Sequence, residues 1–256
     1  MNLFHVGLRH LSSIYYVKKM TENESKSLDT DQMIGDRSMR SAIVLAGGGS
    51  IRMRSDKGLR ELGGEPLAMH VVRRLSDLVD EVLLVVGSEA QRMLYSGAMS
   101  GEAEILVDLY GDGSPLVGAL TGFMRARGEY ALVTGCDMPF ISREAVRLLF
   151  DEAEGLDGEV FQWPNGWVEP LLAVYRVEPS LRVAEELYRT RNLRLRMILL
   201  ELPRVKMIPL EALKKIDPGL LTLHDVDDEN SLREAENILK KQNVERVGSR
   251  DRDFDS

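Results

Sequence analysis

Cysteine is nearly absent from this sequence, and so are long apolar runs and clusters of basic residues. The single cysteine, Cys136, excludes an intramolecular disulfide framework and a multi-cysteine zinc site, which suits a reducing cytoplasm. No run approaches the roughly 18 apolar residues that a membrane span requires, and no apolar segment with a cleavage site marks a signal peptide. We therefore expect a cytoplasmic protein that does not associate with membranes.

The charge balance argues against a nucleic-acid-binding protein. The 256 residues include 33 Lys and Arg against 41 Asp and Glu, a net charge of −8, and the basic residues form no stripe. A protein that binds small phosphorylated ligands remains compatible with this balance, because it needs positive charge in one cleft only. The length and the 44% hydrophobic content suffice for one or two domains with a buried core.

The two ends of the chain differ from its middle. Residues 1–38 contain scattered apolar side chains followed by a polar stretch without periodicity, which predicts disorder. This segment is either a docking or targeting arm or a dispensable extension, and we favour the extension. The folded domain is predicted to span residues 39–240, and the charged residues 241–256 are predicted to form a disordered tail.

Between these ends, strand-like apolar segments alternate with amphipathic helical segments. Predicted strands cover residues 41–46, 81–86, 104–108, 130–134, 158–163, 168–175, 204–208 and 222–226. Predicted helices cover residues 66–79, 115–126, 142–154, 178–189, 193–200 and 229–240. This alternation predicts a three-layer α/β fold with a mostly parallel central sheet. Ligands of such sheets bind beyond the carboxyl ends of the strands.

A glycine-rich loop with cationic residues follows the first predicted strand. Gly47 and Gly48 lack Cβ atoms, so backbone N–H groups there can surround phosphate oxygens, while Arg52 and Lys57 add positive charge. The Gly-Lys-Ser/Thr part of a P-loop is missing, and so is a Gly-x-Gly-x-x-Gly fingerprint. The loop predicts a triphosphate site, with an ordinary glycine-rich turn as the alternative.

Two acidic residues after later strands are candidate metal ligands. Asp137 follows the predicted strand 130–134, and Mg²⁺ prefers one or two carboxylates completed by phosphates and waters. Asp137 could instead cap the next helix, but Ser142 is the better capping residue. Asp227 is a candidate second ligand, although acidic residues are also favoured at a helix N-terminus, where Asp228 suits the capping position.

Several other residues have plainer explanations. Cys136 has no basic partner nearby in the sequence and is predicted to be a small buried residue, not a nucleophile. Trp163 and Trp167 flank a turn, where they either belong to the core or form a flat wall for a heterocyclic substrate. His70 lies in a predicted helix and is interpreted as structural.

In their order along the chain, these motifs resemble the molybdenum cofactor guanylyltransferases, the MobA-like group of Rossmann-type nucleotidyltransferases. The family's opening pattern, Leu-Ala-Gly-Gly-x-Ser-x-Arg-Met-Gly-x-Asp-Lys, is matched over residues 45–57, except that Arg54 replaces the last glycine. Its later patterns, including Cys-Asp-x-Pro, are similar to residues 62–71, 114–118, 136–139 and 226–232. The ordered matches cover residues 41–240.

The resemblance implies a Rossmann-like nucleotidyltransferase fold and a set of site residues. It implies that the nucleotide lies against Leu45, Ala46 and the glycines that follow, that Lys57 contacts its phosphates and that Asp108 is nearby. It also implies that Asp137 holds Mg²⁺.

The chain departs from the family pattern at two places. Gly87 and Ser88 stand where the family often has an asparagine, which puts a base or ribose contact in doubt. Glu169 and Pro170 stand where His-Pro is common, which could alter recognition of the acceptor.

The implied reaction is transfer of GMP from GTP to the phosphate of molybdopterin, which releases pyrophosphate and forms the guanine dinucleotide cofactor. The acceptor phosphate would attack the α-phosphorus in line, with Lys57, Arg52 and Asp137-bound Mg²⁺ offsetting charge. Use of CTP with molybdopterin, or of GTP with another acceptor such as 2-phospholactate, is the first alternative. A non-catalytic nucleotide-binding or cofactor-binding protein is the second. Implied partners are GTP, molybdopterin and proteins that accept or insert the cofactor.

Overall fold

The computed structural model describes residues 38–47, 56–111 and 113–250. These residues belong to one compact unit that begins at Ser38. The segment 1–37, most of the glycine-rich loop (48–55) and the last six residues lie outside the described ranges, so the predictions for them remain predictions. No helix of the described ranges is long and apolar enough to cross a membrane.

A seven-stranded sheet forms the centre of the molecule, in the order β5-β4-β1-β6-β8-β7-β9. Strands β1, β4, β5 and β6 run parallel, β8 runs antiparallel to β6 and to β7, and β9 is parallel to β7. The strands are β1 (Arg40–Leu45), β4 (Glu81–Val86), β5 (Glu104–Val107), β6 (Tyr130–Gly135), β7 (Gly158–Gln162), β8 (Val168–Arg176) and β9 (Val205–Pro209). A separate two-stranded hairpin consists of β2 (Glu61–Leu62) and β3 (Glu65–Pro66).

In the described residues, eight α-helices connect and cover these strands. They are α1 (Leu67–Leu75), α2 (Glu89–Met99), α3 (Pro115–Arg125), α4 (Arg143–Glu152), α5 (Val177–Arg189), α6 (Arg196–Glu201), α7 (Leu210–Ile216) and α8 (Glu229–Arg250). Serine side chains cap three of them, since Ser88, Ser114 and Ser142 each accept a hydrogen bond from the backbone N–H three residues later. The N-cap predicted for Ser142 is confirmed.

Helices cover both faces of the sheet, which explains why its central strands are continuous apolar runs. On β1, Ala42 and Val44 join a buried cluster that includes residues of α1 and α4. Ile43 and Leu45 point the other way, where Gly122 and Gly118 of α3 leave room for their side chains. The predicted α/β fold with a mostly parallel central sheet is confirmed.

The structure differs from the predicted elements at one strand, at two helices and a hairpin that were not predicted, and at the end of the last helix. Residues 222–226 do not form a strand: Leu221–Leu223 is a 3₁₀ turn, because the Asp217 carboxylate accepts hydrogen bonds from both the N–H and the hydroxyl of Thr222. Helices α2 and α7 and the β2–β3 hairpin were not predicted. The final helix α8 continues to Arg250, past the boundary predicted at Lys240.

Candidate active site

The ends of the parallel strands bring the glycine-rich loop and the acidic motifs to one edge of the sheet. Leu45, the last residue of β1, pairs with Val85 on one side and with Gly135 on the other. The chain then leaves β1 through Ala46, whose N–H donates to Val85 O at 2.8 Å, while the N–H of Cys136 donates to Leu45 O at 3.1 Å. The residues after β1, β4 and β6 are therefore neighbours.

Gly47 lies against the residue that follows β4. A Cβ atom on Gly47 would stand 2.8 Å from the backbone nitrogen of Gly87, a distance that real Cβ atoms do not adopt. Glycine is therefore required at position 47 by its neighbour in the protein, in addition to any ligand it approaches. Gly48 and Arg52, predicted for the same site, lie outside the described residues.

Lys57 lies between two carboxylates at this edge. Its ammonium donates a hydrogen bond to Asp227 Oδ1 and stands 3.9 Å from Asp137 Oδ2. The hydrogen bond to Asp227 raises the pKa of Lys57, and the charges of Asp227 and Asp137 add to that effect, while partial burial opposes it. The structure thus brings together three residues that the sequence singled out.

Asp137 and Asp227 are held near each other by backbone contacts. The N–H of Val226 donates to Asp137 O at 2.9 Å, which attaches the segment before α8 to the residues after β6. Arg60 Nη1 donates to Asp227 O at 3.2 Å. Asp228, the next residue, uses its carboxylate to accept the N–H groups of Asn230 and Ser231 at 2.9 Å each, so its predicted capping role is confirmed.

The carboxyl group of Asp137 is largely enclosed. Its side chain is 21% exposed, and a Cβ atom on Gly135 would overlap Asp137 Oδ1. Burial raises the pKa of Asp137, and the nearby charge of Asp227 adds to the rise, whereas Lys57 lowers it. A cation beside this carboxyl would therefore be favoured.

A partly buried hydrogen-bond cluster, which the sequence did not reveal, lies behind Lys57. Asp56 precedes Lys57 and caps the short 3₁₀ turn Lys57–Leu59 by accepting the N–H of Gly58 at 3.3 Å. Its carboxylate also accepts the hydroxyl of Tyr95 at 2.5 Å and the side-chain amide of Gln91. The amide oxygen of Gln91 in turn accepts the N–H of Gly87 at 2.8 Å.

Comparison with known proteins shows the family to which the chain belongs. Residues 42–205 match the model of the MobA-like NTP transferase domain. The chain belongs to this family. A probable molybdenum cofactor guanylyltransferase from Methanosarcina mazei is 30% identical over 208 residues, which cover 79% of this chain and 91% of that protein. One from Methanosarcina acetivorans is 31% identical over 216 residues, which cover 82% and 94%.

A solved structure shows the same fold. Molybdopterin-guanine dinucleotide biosynthesis protein A from Archaeoglobus fulgidus superposes with a TM-score of 0.68 at 27% identity, covering 79% of this chain and 100% of that protein. The predicted membership of the MobA-like group and the nucleotidyltransferase fold are thereby confirmed. This MobA-like transferase is accordingly a nucleotidyltransferase.

The residues of the MobA-like transferase fit a hard divalent cation. Within the described ranges no three His, Cys, Asp or Glu side chains are grouped so as to hold a metal ion by themselves. Asp137 and Asp227 instead offer the one or two carboxylates that Mg²⁺ takes when substrate phosphates supply the other oxygens. The donor set therefore suits Mg²⁺ that arrives with a nucleotide.

A further acidic side chain, Asp225, lies near this pair, and Glu169 lies near Asp225. Burial raises the pKa of Asp225 to about 7, with further contributions from Asp137, Asp227 and Glu169. Burial also raises the pKa of Glu169. The sequence placed both residues near strand ends but gave no sign that their charges reach the same cleft, because residues 56 positions apart meet only in the folded chain.

Asp108 lies at the end of β5, beside the end of β4. Its N–H donates to Val86 O at 2.7 Å, and its carboxylate accepts the N–H of Tyr110 at 3.0 Å. The side chain is 8% exposed. In this structure Asp108 therefore shapes the turn that leads to Ser114 and helix α3.

The other residues discussed in the sequence analysis, namely the two tryptophans, His70 and Cys136, have contacts that indicate structural roles. The guanidinium of Arg196 stacks 4.6 Å from the ring centroid of the exposed Trp167, whereas Trp163 packs against the main core. His70 Nε2 is hydrogen bonded to Leu62 O at 2.8 Å, in agreement with a structural role. Cys136 is buried and its burial raises the thiol pKa well above its usual range, so it is not a nucleophile.

Proposed function

We propose that this transferase joins GMP from GTP to the phosphate of molybdopterin, releasing pyrophosphate and forming the guanine dinucleotide form of the molybdenum cofactor. The observation that carries the proposal is the position of the Lys57 ammonium between Asp137 and Asp227, at the edge where β1, β4 and β6 end. The names of the guanylyltransferase relatives supply the donor and the acceptor.

The nucleotide in this proposal lies over the end of β1. Ala46 and Gly47 present backbone there with little side-chain bulk, Leu45 directs its side chain toward Gly118 of α3, and the close contact of Gly47 with Gly87 keeps both segments in place. Gly48, Arg52 and Asp108 are further proposed nucleotide-binding residues, the first two on the basis of the sequence alone.

The reaction requires charge compensation more than covalent chemistry. An oxygen of the acceptor phosphate attacks the α-phosphorus of GTP, a new P–O bond forms, and the bond to the β-phosphate breaks so that pyrophosphate leaves with its electron pair. Lys57 and Arg52 offset negative charge that builds on the leaving pyrophosphate. Asp137 and Asp227 would hold Mg²⁺, which supplies electrostatic stabilisation of the phosphate oxygens when bound.

Lys57 must exchange partners when the substrate binds. In the structure its ammonium is compensated by two carboxylates, and a triphosphate brings competing anionic oxygens. Asp137 and Asp227 would then hold Mg²⁺ while Lys57 would contact the phosphates, so that every charge would keep a partner of opposite sign. This exchange explains why a cation and two anions lie together at one edge of the sheet.

A panel of four NTPs against several phosphorylated acceptors, assayed for pyrophosphate with Mg²⁺ present, tests the proposal. We expect release with GTP and molybdopterin, and loss of release in Lys57→Ala. Faster pyrophosphate release with CTP would show that CTP is the donor. Faster pyrophosphate release with 2-phospholactate would show that this compound is the acceptor. Nucleotide binding without release under any pairing would indicate a binding protein. Proteins that accept or insert the cofactor are the expected recipients of the product.

A further inference from the structure

We propose that Tyr95 and Gln91 of helix α2 are positioning residues that act through Asp56 to hold Lys57 at the phosphates of the nucleotide. The inference rests on the proposed function in one respect, namely that Lys57 binds the triphosphate. Neither residue faces the substrate in this proposal, so neither is a catalytic residue.

The first support is the convergence of both side chains on one carboxylate. Tyr95 and Gln91 are four residues apart, so they lie on the same face of α2. The Tyr95 hydroxyl donates to Asp56 Oδ1 at 2.5 Å, and the Gln91 amide donates to Asp56 Oδ2. Both oxygens of Asp56 are therefore engaged by α2, and Oδ1 also accepts the N–H of Gly58.

The second support is the absence of free space around this contact. The Tyr95 side chain is 0% exposed, so its hydroxyl has no access to water as a substitute partner. A Cβ atom on Gly58 would overlap the Tyr95 hydroxyl and stand 2.9 Å from Cys136 Sγ. Gly58 is thus packed between Tyr95 and Cys136, and only glycine fits there.

The third support is the position of the charged residues relative to this packed cluster. Lys57 lies between Asp56 and Gly58, which are both fixed by Tyr95, and Asp137 directly follows Cys136. The cluster therefore sets the backbone from which Lys57 and Asp137 reach each other at 3.9 Å. Misplacement of a reacting group by about 1 Å can reduce a rate by about 100-fold. Hydrogen bonds that hold this backbone in place are therefore expected to affect the rate.

A double-mutant cycle between Tyr95→Phe and Lys57→Ala tests the inference, because residues that act as one unit have non-additive effects. Tyr130→Phe is the matched control: it also removes a buried hydroxyl, which donates to Leu156 O at 3.3 Å at the opposite end of β6. Steady-state kcat and KM, thermal midpoints and the Kd of Mg²⁺-GTP are measured for all variants.

We expect Tyr95→Phe to lower kcat or GTP affinity about tenfold, a typical loss for one hydrogen bond to a charged group. We expect less than about twofold further loss when Tyr95→Phe is added to Lys57→Ala. Tyr130→Phe should reduce the thermal midpoint to a similar degree yet leave kcat and Kd within about twofold. Equal fractional losses from Tyr95→Phe in the presence and absence of Lys57 would overturn the inference.

Gln91→Glu provides a second approach if Tyr95→Phe does not fold. Glutamate retains an acceptor for the Gly87 N–H but replaces the donor to Asp56 with a like charge, so the same tenfold loss and the same dependence on Lys57 are expected. If the unmodified protein binds Mg²⁺-GTP but releases no pyrophosphate, the proposed function fails while the Kd cycle still decides the inference. If it binds no nucleotide, both fail.

Discussion

Lys57 and Asp227 form an ion pair although 170 residues separate them in the sequence. Asp227 is held on its backbone side, where its N–H donates to Ser231 Oγ at 3.0 Å and its carbonyl accepts Arg60 Nη1 at 3.2 Å. These contacts hold the backbone of Asp227, while its side chain is 62% exposed.

Replacing Asp227 with asparagine should raise the Mg²⁺ concentration needed for half-maximal rate about tenfold, because one charged ligand oxygen is lost. Asp228→Asn is the control one residue away, since asparagine also caps helices. The Mg²⁺ dependence of pyrophosphate release measures the effect. An unchanged half-saturation in Asp227→Asn would mean that Asp227 serves Lys57 alone.

Replacing Asp137 with asparagine should reduce turnover roughly 10²- to 10⁴-fold at saturating Mg²⁺, since charge stabilisation worth several kcal/mol is removed. The fold should remain intact because the change is isosteric. Asp77→Asn removes a carboxylate that is 73% exposed and paired with Arg143, and should leave the rate unchanged. Turnover of Asp137→Asn near that of the unmodified protein would end the proposed metal-binding role.

Because the carboxyl group of Glu159 on β7 is buried, we expect the free energy of unfolding to decrease as the pH rises. Its side chain is 0% exposed, its oxygens have no hydrogen-bond partner among the described residues, and Lys206 Nζ stands 4.0 Å away. Burial raises its pKa to about 8 from an ordinary 4.5. The unfolded chain therefore binds fewer protons between these values, so stability present at pH 5 is lost as the pH approaches 8.

Glu159→Gln should remove this loss. The pKa shift bounds the gain at about 5 kcal/mol, and we expect about 1 to 3 kcal/mol at pH 8.5 because Lys206 can move toward the carboxylate. At pH 5 the two proteins should be nearly equal. Thermal unfolding at both pH values measures the difference, and a gain of the same size at pH 5 would contradict the assigned protonation.

Much of the fold and part of the site could be predicted from local sequence patterns. The continuous apolar runs of β1, β4 and β6 indicate buried parallel strands, and residues that follow such strands meet at one edge. Gly47, Lys57, Asp137 and Asp227 were singled out in this way, whereas Leu45 and Ala46 were implied by the family resemblance. These residues adjoin strands or helices that the sequence pattern identifies clearly. The topology of the sheet therefore predicts that they lie close together.

The cluster behind Lys57 could not be predicted, because its residues carry no local signal. Helix α2 exposes Met93 and Leu94 while it buries Tyr95 and Met99, so its apolar residues do not mark one face. The roles of Gln91 and Tyr95 can be recognised only in the folded chain, where both side chains contact Asp56. Likewise, the predicted strand 222–226 failed because side-chain hydrogen bonds of Asp217 replace the ladder there.

A protein that starts at Met39 should retain full stability and activity. Met39 itself matters, since its carbonyl accepts the N–H of Glu129 at 2.9 Å, and β1 begins at the next residue. The preceding sequence offers no contiguous apolar face to pack against a core. Thermal midpoints of the full and shortened proteins are compared. A decrease larger than about 4 °C, on the order of 1 kcal/mol, would show that residues 1–38 stabilise the domain.

The preferred nucleotide donor is expected to be GTP. Guanine can be recognised by backbone groups alone, with a carbonyl that accepts from N1 and N2 and an N–H that donates to O6. The N–H of Gly87 already donates to Gln91, so the donor to O6 is expected from the glycine-rich loop that begins at Gly47. A site built for this polar edge leaves buried groups unpaired when adenine or cytosine enters, a penalty that can reach about 10⁴-fold. We therefore expect kcat/KM for GTP to exceed that for CTP and ATP at least about tenfold, or roughly 1.4 kcal/mol.

Competition between the three nucleotides at equal concentration, with the products separated by mass, measures the ratio directly. Preferential formation of the cytosine dinucleotide would show that the base pocket is built for CTP.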